Sequence, residues 1–364
     1  MNVRKKRLLF IDLANSMGGV ETYLENLTAL LRDHADIRLL TTLPDLEAKM
    51  RRSEIYVYRI PSLFDRTKSS RFVAAILYLP FILVRDGIDT IQINGFLESI
   101  FIPLARICGK KTVYTRHGPT ELELYTWYRE PLRFFPRYVS LRLLRLSSRV
   151  VCVSDAVGRS LAGILPSERI EVVSNWVPDY SPNELSPLAG SQWATILYVG
   201  RLEKYKGIQI LVDAFRSLEA ARLIVVGEGS YRKQLELLAK GTNTQFEGFQ
   251  RDVGVFYQSA DVFVMPSFGP EGLPMVTLEA MGRGLPCILS DLPVHREVAG
   301  PDAAALLFTP GDVIDLRSKL TAILSDESLR IQYARKGYGR VQEKYSRKLA
   351  LHGYRDIFDI RPTT

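Results

Sequence analysis

Residues 262–289 read VFVMPSFGPEGLPMVTLEAMGRGLPCIL. Val262–Met265 form a short apolar run of strand type, a Pro- and Gly-rich turn follows, and Val276, Leu278 and Met281 then carry a helical apolar face. A second strand is expected at Cys287–Leu289. Strand, helix and strand in so short a span form a βαβ unit, the building block of a parallel sheet. Pro274 suits the first helical position, where its fixed φ helps and its missing N–H costs nothing. Gly269 and Gly272 keep the preceding backbone clear, so an anion could approach the N–H groups at the helix start. Glu271 is expected on the loop and Glu279 about one and a half turns inside the helix. One carboxylate can then face a reacting group while the other reaches a neighbouring hydroxyl.

The same rhythm runs along the whole chain. In the first half, strands are expected at 8–13, 37–41, 56–60, 90–93, 111–115, 150–153 and 170–173. Helices are expected at 20–32, 71–85, 98–108, 132–146 and 155–162. After a Pro- and Ser-rich stretch at 178–190 the pattern restarts with 195–199, then 222–226, 244–247, 262–265, 287–289 and 305–308 as strands. At 364 residues the chain is long enough for two domains. The expected fold class is α/β: two Rossmann-like, doubly wound domains facing across a cleft, spanning residues 1–188 and 189–344. Such sheets carry ligands at the carboxyl ends of their strands.

Hydrophobic residues make up 46% and charged residues 24% of the chain, the composition of a folded globular protein rather than a disordered one. Net charge is +8, and residues 1–190 hold 26 basic and 20 acidic side chains, so an anionic surface or substrate is expected against the first half. Cys108, Cys152 and Cys287 are widely spaced, without CxxC or zinc-type spacing, and suggest a reducing cytoplasm. The apolar run after Arg4-Lys5-Lys6-Arg7 ends at Asp12 with no cleavage site beyond, so it is not read as a signal peptide. The longest uncharged run, 72–84, has 13 residues and a proline at position 80, short of the ~20 residues a membrane span requires.

Gly200-Arg201-Leu-Glu-Lys-Tyr-Lys206-Gly207 follows an expected strand and precedes a helix. There Arg201 could fork two phosphate oxygens and Lys206 add a compact second charge. Alone, that spacing also fits two solvated surface cations; the glutamate segment in the same domain strengthens the binding reading. Gly18-Gly19-Val20-Glu21 occupies the first strand–helix turn, either as a ligand approach or as a simple tight turn. Gly227 and Gly229 form another strand-end turn that does not complete GxGxxG. His117, in Arg116-His117-Gly118, follows a strand at the expected cleft edge. His34, His295 and His352 have no comparable setting and are read as background.

With these motifs in place, the chain resembles the GT-B-fold retaining glycosyltransferases of the glycosyl transferases group 1, or family four. The resemblance covers nearly the whole chain: Gly18-Gly19-x-Glu21, Arg116-His117-Gly118, Ser174-Asn175, Gly200-Arg201…Lys206-Gly207, Gly227-Glu228-Gly229, Phe246-Glu247-Gly248 and Glu271-x7-Glu279 around Gly-Leu-Pro. It implies that Glu271 contacts a donor hexose, Glu279 the ribose hydroxyls, and Arg201 and Lys206 the diphosphate. It further implies that backbone N–H groups at Gly272, Leu273 and Met275, around Pro274, bind phosphate and sugar. Gly200 and Gly227 fall in its donor-side turns, Gly19 approaches the donor from the other domain, and His117 lies near the transferred sugar or acceptor. The base is implied near Phe249 and Arg251, and residues 345–364 are implied to form a helix crossing back to the first domain. Two features depart from the family pattern: Trp176-Val177 after Asn175 where Gly-Val is usual, which touches hinge geometry, and Lys204-Tyr205 at variable positions.

The implied activity is metal-independent, retaining transfer of a hexose from a nucleoside-diphosphate sugar, UDP- ahead of GDP-. The acceptor would be a glycan or a lipid-linked molecule in cell-surface polysaccharide or lipopolysaccharide synthesis. No cofactor and no metal are expected: Arg201 and Lys206 could replace the ion, and the chain lacks the Asp-x-Asp signature of the metal-dependent alternative. Residues 129–149 hold six arginines and one glutamate among apolar side chains. They could lie on an anionic membrane surface, with Trp127 and Tyr128 at the boundary, or form an ordinary helix with a basic outer face. The expected location is cytoplasmic, peripheral on the inner face of the membrane; no nucleic-acid partner is expected. A sugar phosphorylase and a non-catalytic sugar-nucleotide-binding scaffold of the same fold are the competing readings.

Overall fold

The computed structural model describes residues 4–13, 19–59, 68–95, 97–119, 134–186, 193–218, 220–269 and 271–360. Gly18, Trp127, Tyr128 and residues 129–133 of the basic stretch lie outside them. The chain divides into two compact units, residues 1–175 with 348–364, and residues 176–347.

In the first unit the strands are β1 (Arg7–Asp12), β2 (Asp36–Thr41), β3 (Tyr56–Tyr58), β4 (Thr90–Ile93), β5 (Lys111–Arg116), β6 (Arg149–Cys152) and β7 (Ile170–Val172). The helices between them are α1 (Gly19–Leu31), α2 (Pro44–Arg52), α3 (Lys68–Arg85), α4 (Phe101–Ile107), α5 (Phe134–Leu143) and α6 (Asp155–Arg159). All strands pair in parallel in the order β3-β2-β1-β4-β5-β6-β7. Leu8, Leu9, Phe10 and Ile11 of β1 are fully buried, as a strand covered on both faces requires. The helix expected at 132–146 is shorter: α5 ends at Leu143 and tightens into a 3₁₀ turn, Leu144–Leu146.

The second unit repeats the scheme with β8 (Ala194–Val199), α7 (Ile208–Phe215), β9 (Ala221–Val226), α8 (Arg232–Leu238), β10 (Thr244–Gly248), α9 (Gly254–Gln258) and β11 (Val262–Met265). It continues with α10 (Met275–Gly282), β12 (Cys287–Ser290), α11 (Pro293–Ala299), β13 (Leu306–Phe308), α12 (Val313–Ser325) and α13 (Glu327–Lys344). Its six parallel strands run β10-β9-β8-β11-β12-β13. Strand order reverses between β1 and β4 in one sheet and between β8 and β11 in the other, the points where such sheets open a ligand crevice.

The boundary lies at 175/176 instead of the expected 188/189. The described part of the Pro- and Ser-rich stretch, 178–186, packs on the second unit. Trp176 and Val177 are buried, Val177 bridges Ser346, Ser186 N–H donates to the Arg283 carbonyl at 2.8 Å, and the Arg283 guanidinium lies 3.8 Å from the Tyr180 ring centroid. The last helix, α14 (Arg347–Ile357), belongs to the first unit. Tyr354 reaches the Tyr23 hydroxyl at 2.6 Å, Phe358 packs against Phe10, and Lys111 pairs with Asp359 at 2.5 Å.

Candidate functional site

The loop after β8 and the loop after β11 meet at the switch point of the second sheet. Gly207 makes this approach possible. It adopts φ 73°, and a Cβ there would overlap the Pro266 carbonyl oxygen, so a side chain would hold the two loops apart. Lys204–Lys206 form a 3₁₀ turn that aims Lys206 at the second loop. Its Nζ donates to both oxygens of Glu271, at 2.7 and 2.9 Å, and the Ser267 hydroxyl donates to Glu271 Oε1 at 2.6 Å. The pair is largely sheltered, with side-chain exposures of 14% and 8%. Burial pushes the Glu271 carboxyl up, but the Lys206 ammonium and the Ser267 hydroxyl more than offset it, leaving the group below its ordinary range and ionised.

Arg201 is placed by its neighbours. Tyr198 O–H donates to its carbonyl at 2.9 Å, and its Nη2 donates to the Tyr205 hydroxyl at 2.7 Å. Lys206 Nζ lies 5.4 Å from the Tyr205 ring centroid, so the two cations flank one aromatic ring. Gly200 and Gly227 sit at adjacent strand ends: Gly200 N–H donates to the Val226 carbonyl at 3.0 Å and Gly227 N–H to the Gly248 carbonyl at 2.7 Å. Phe249 and Arg251 follow β10 at the sheet edge, both exposed.

Pro274 proves to be the N-cap of α10, not its first helical residue, and no side chain caps the helix. Gly272, Leu273 and Met275 are buried around that start, where helix N–H groups favour an anion. Glu279 lies one turn further in and does not join the Lys206–Glu271 pair. Its Oε2 accepts from the Tyr257 hydroxyl at 3.1 Å. Burial raises its pKa, against the pull of Arg283 and Tyr257. Arg283, stacked on Tyr180, also lies 5.1 Å from the Tyr257 ring centroid.

His117 and Gly19 belong to the first unit. Gly19 opens α1, and a Cβ added there would meet nothing within 4 Å. His117 follows β5; its ring packs edge-on to Tyr23 at 4.6 Å, and its Nε2 lies 3.3 Å from Asn94 Oδ1. An amide oxygen only accepts, so Nε2 carries the proton and Nδ1 the lone pair. Burial, with help from the Arg116 charge, lowers the pKa to about 3. His117 is therefore neutral at physiological pH, with Nδ1 as the acceptor.

Several residues escaped the sequence reading. Ser267, Tyr205, Tyr257 and Arg283 gave no signal of their own because their roles arise from packing. His295, read as background, is fully buried at the start of α11, beyond the end of β12. Its Nδ1 donates to the Ser290 carbonyl at 2.7 Å, and it feels the charges of both Glu271 and Lys206. Its position past a strand's carboxyl end, the signal used for His117, would have found it. Among the described residues no cluster of His, Cys, Asp and Glu is arranged to hold a metal ion.

Comparison with known proteins identifies the family and the fold. The family model described as glycosyl transferases group 1 matches residues 188–340, and the one described as glycosyltransferase family 4 matches residues 17–179. The chain belongs to the group 1, or family four, glycosyltransferases. Among its relatives is the sulfoquinovosyl transferase SQD2 of Arabidopsis thaliana, 29% identical over 60% of this chain and 45% of that one. The phosphatidyl-myo-inositol mannosyltransferase of Mycobacterium leprae is 32% identical over 51% of this chain and 52% of its own. The chain thus spans about half the length of these curated relatives. A solved structure of Anabaena HepE with UDP and glucose superposes with a TM-score of 0.81 at 19% identity, covering 97% of this chain and 99% of that one. The fold of this family member is accordingly the two-unit α/β GT-B fold.

Proposed function

We propose that this glycosyltransferase moves a hexose from a nucleoside-diphosphate sugar, UDP- in preference to GDP-, to a lipid-linked or glycan acceptor of the cell surface, with retention and without a metal ion. The observation that carries the reading is the sheltered Lys206–Glu271 pair at the β8/β11 switch point, with Arg201 beside it. Lys206 and Arg201 take the diphosphate, whose bridging bond to the sugar breaks in the reaction and leaves negative charge on the β-phosphate. A fixed donor aimed at such charge contributes about 3–4 kcal/mol, or roughly 10²–10³ in rate. Glu271 accepts from hydroxyls of the hexose, Glu279 from the ribose, and the base rests near Phe249 and Arg251. His117, uncharged, accepts from the sugar or the acceptor. The leaving phosphate takes the acceptor's proton on the face it departs from, so no protein nucleophile is required. UDP in the Anabaena neighbour and a lipid in the name of the mannosyltransferase relative support the donor and acceptor classes.

The test is a panel of UDP-, GDP- and ADP-hexoses scored for thermal protection and for nucleotide release with EDTA present. UDP-hexose is expected to protect best and to turn over undiminished in EDTA, while Arg201→Ala lowers kcat by about 10²–10³. Full turnover in Arg201→Ala, or turnover lost to EDTA and restored by Mg²⁺, refutes the assigned chemistry.

A further inference from the structure

Helix α3 (Lys68–Arg85) is apolar on both sides. Ala74, Ala75, Leu79, Ile82 and Leu83 are buried against the first unit, as expected of a crossover helix. Its other side carries Val73, Leu77, Tyr78, Phe81 and Val84, each between 43% and 69% exposed. On a 3.6-residue turn these five fall on a single arc. A helix facing only water would be polar there, and exposed apolar patches of this kind mark docking surfaces. The apolar surface continues onto α4, against which α3 packs, where Ile107 is 83% exposed. This is the uncharged run too short to span a bilayer, and no described helix is long and apolar enough to do so.

The charge around this face selects the occupant. Residues 68–85, 101–119 and 134–149 hold no acidic side chain; of their basic ones, Arg116 is buried and Arg85, Lys111 and Arg149 pair with Asp86, Asp359 and Glu171, which leaves the cations of α4 and of the end of α5 to set the charge at this face. Arg106, Arg142 and Arg145 are exposed; Arg106 donates to the Leu146 carbonyl, joining α4 to the turn after α5. Arg85 lies 4.9 Å from the Phe81 ring centroid at the end of the apolar arc, paired there with Asp86. A second copy of the chain would bring the same cations against each other in an isologous contact. An anionic lipid surface accepts both components: apolar side chains enter the headgroup boundary, aromatic rings sit at its level, and arginines meet phosphates.

We propose that the outer face of α3, extended by α4, docks this protein flat on an anionic membrane surface, with the arginines of α4, α5 and the turn after α5 as its electrostatic margin. The contact differs from one centred on residues 129–149: the apolar insertion comes from α3 and the basic segment supplies attraction. It stands apart from the transfer chemistry, since vesicle binding needs no donor.

The experiment is co-sedimentation of the full chain with phosphatidylglycerol/phosphatidylcholine vesicles and with pure phosphatidylcholine vesicles. Binding is expected to the anionic vesicles, weakening with salt, and to fall at least tenfold in Leu77→Glu/Phe81→Glu. Arg142→Glu/Arg145→Glu should reduce the preference for anionic vesicles. Because Leu77 and Phe81 are exposed, the first variant should keep the wild-type melting temperature and UDP-induced shift, which separates docking from misfolding and from the function above. The proposal is overturned if neither vesicle binds, if both bind equally, or if Leu77→Glu/Phe81→Glu binds like wild type. A concentration-dependent dimer in light scattering, abolished by that variant, would also overturn it by assigning the face to a second copy.

Discussion

Lys206 and Glu271 share a site from which water is mostly excluded, so neither can lose the other without leaving a buried charge. Breaking such a pair by removing one partner typically costs about 3–5 kcal/mol, whereas removing both costs much less. Lys206→Met and Glu271→Gln are therefore each expected to lower the unfolding free energy by an amount of that order, and the double variant by less than their sum. Urea melts of the four proteins check this, and additive effects would deny the coupling. The pH dependence follows from the carboxyl, held below its ordinary 4.5. The pair's stabilisation is complete above about pH 4.5 and is lost as pH falls through the lower folded value, so the coupling should be full at pH 7 and shrink in acid. The sequence announced Lys206 and Glu271 through their strand-end loops. It could not announce Ser267 or His295, whose importance depends on three neighbouring strand ends, β8, β11 and β12, converging in space.

At the level of elements the sequence was most readable where burial is most complete. β11 begins and ends where the apolar run Val262–Met265 begins and ends, because a strand covered on both faces needs unbroken hydrophobicity. The helix α2 gave no clear apolar face, since its nine residues bury only Leu46 and Met50 and five of the others carry charge. Its Pro at the start, acids in the first turn and bases in the last were the legible signs. The Lys206 turn is held by Gly207. An alanine there must occupy the left-handed region at about 1–2 kcal/mol and also overlap Pro266. Gly207→Ala should lower the melting temperature and weaken UDP protection together; an unchanged melting curve would show that the loops need not approach so closely.

On the scale of the whole molecule, two sheets of the same winding rule were visible in the alternation of strands and helices. The division of the compact units at 175/176 was not legible because packing, not composition, holds residues 176–186 to the second unit. The first unit is closed by α14, whose Tyr354 is fully buried and touches Tyr23 across 331 residues of sequence. Truncating a buried aromatic costs about 3–5 kcal/mol. In Tyr354→Ala, amides of β1, β4 and β5 should exchange hydrogen faster while those of β8, β11 and β12 keep their protection. Equal acceleration in both sheets would mean that the units do not unfold separately.

That closure fixes an order of events during synthesis. The second unit is one uninterrupted segment, complete once residue 347 has left the ribosome, whereas the first still lacks residues 348–360. The domain begun first is finished last, and until then the nascent polypeptide carries β1 and β5 without the aromatic plug that seals them, a window in which a chaperone has apolar surface to hold.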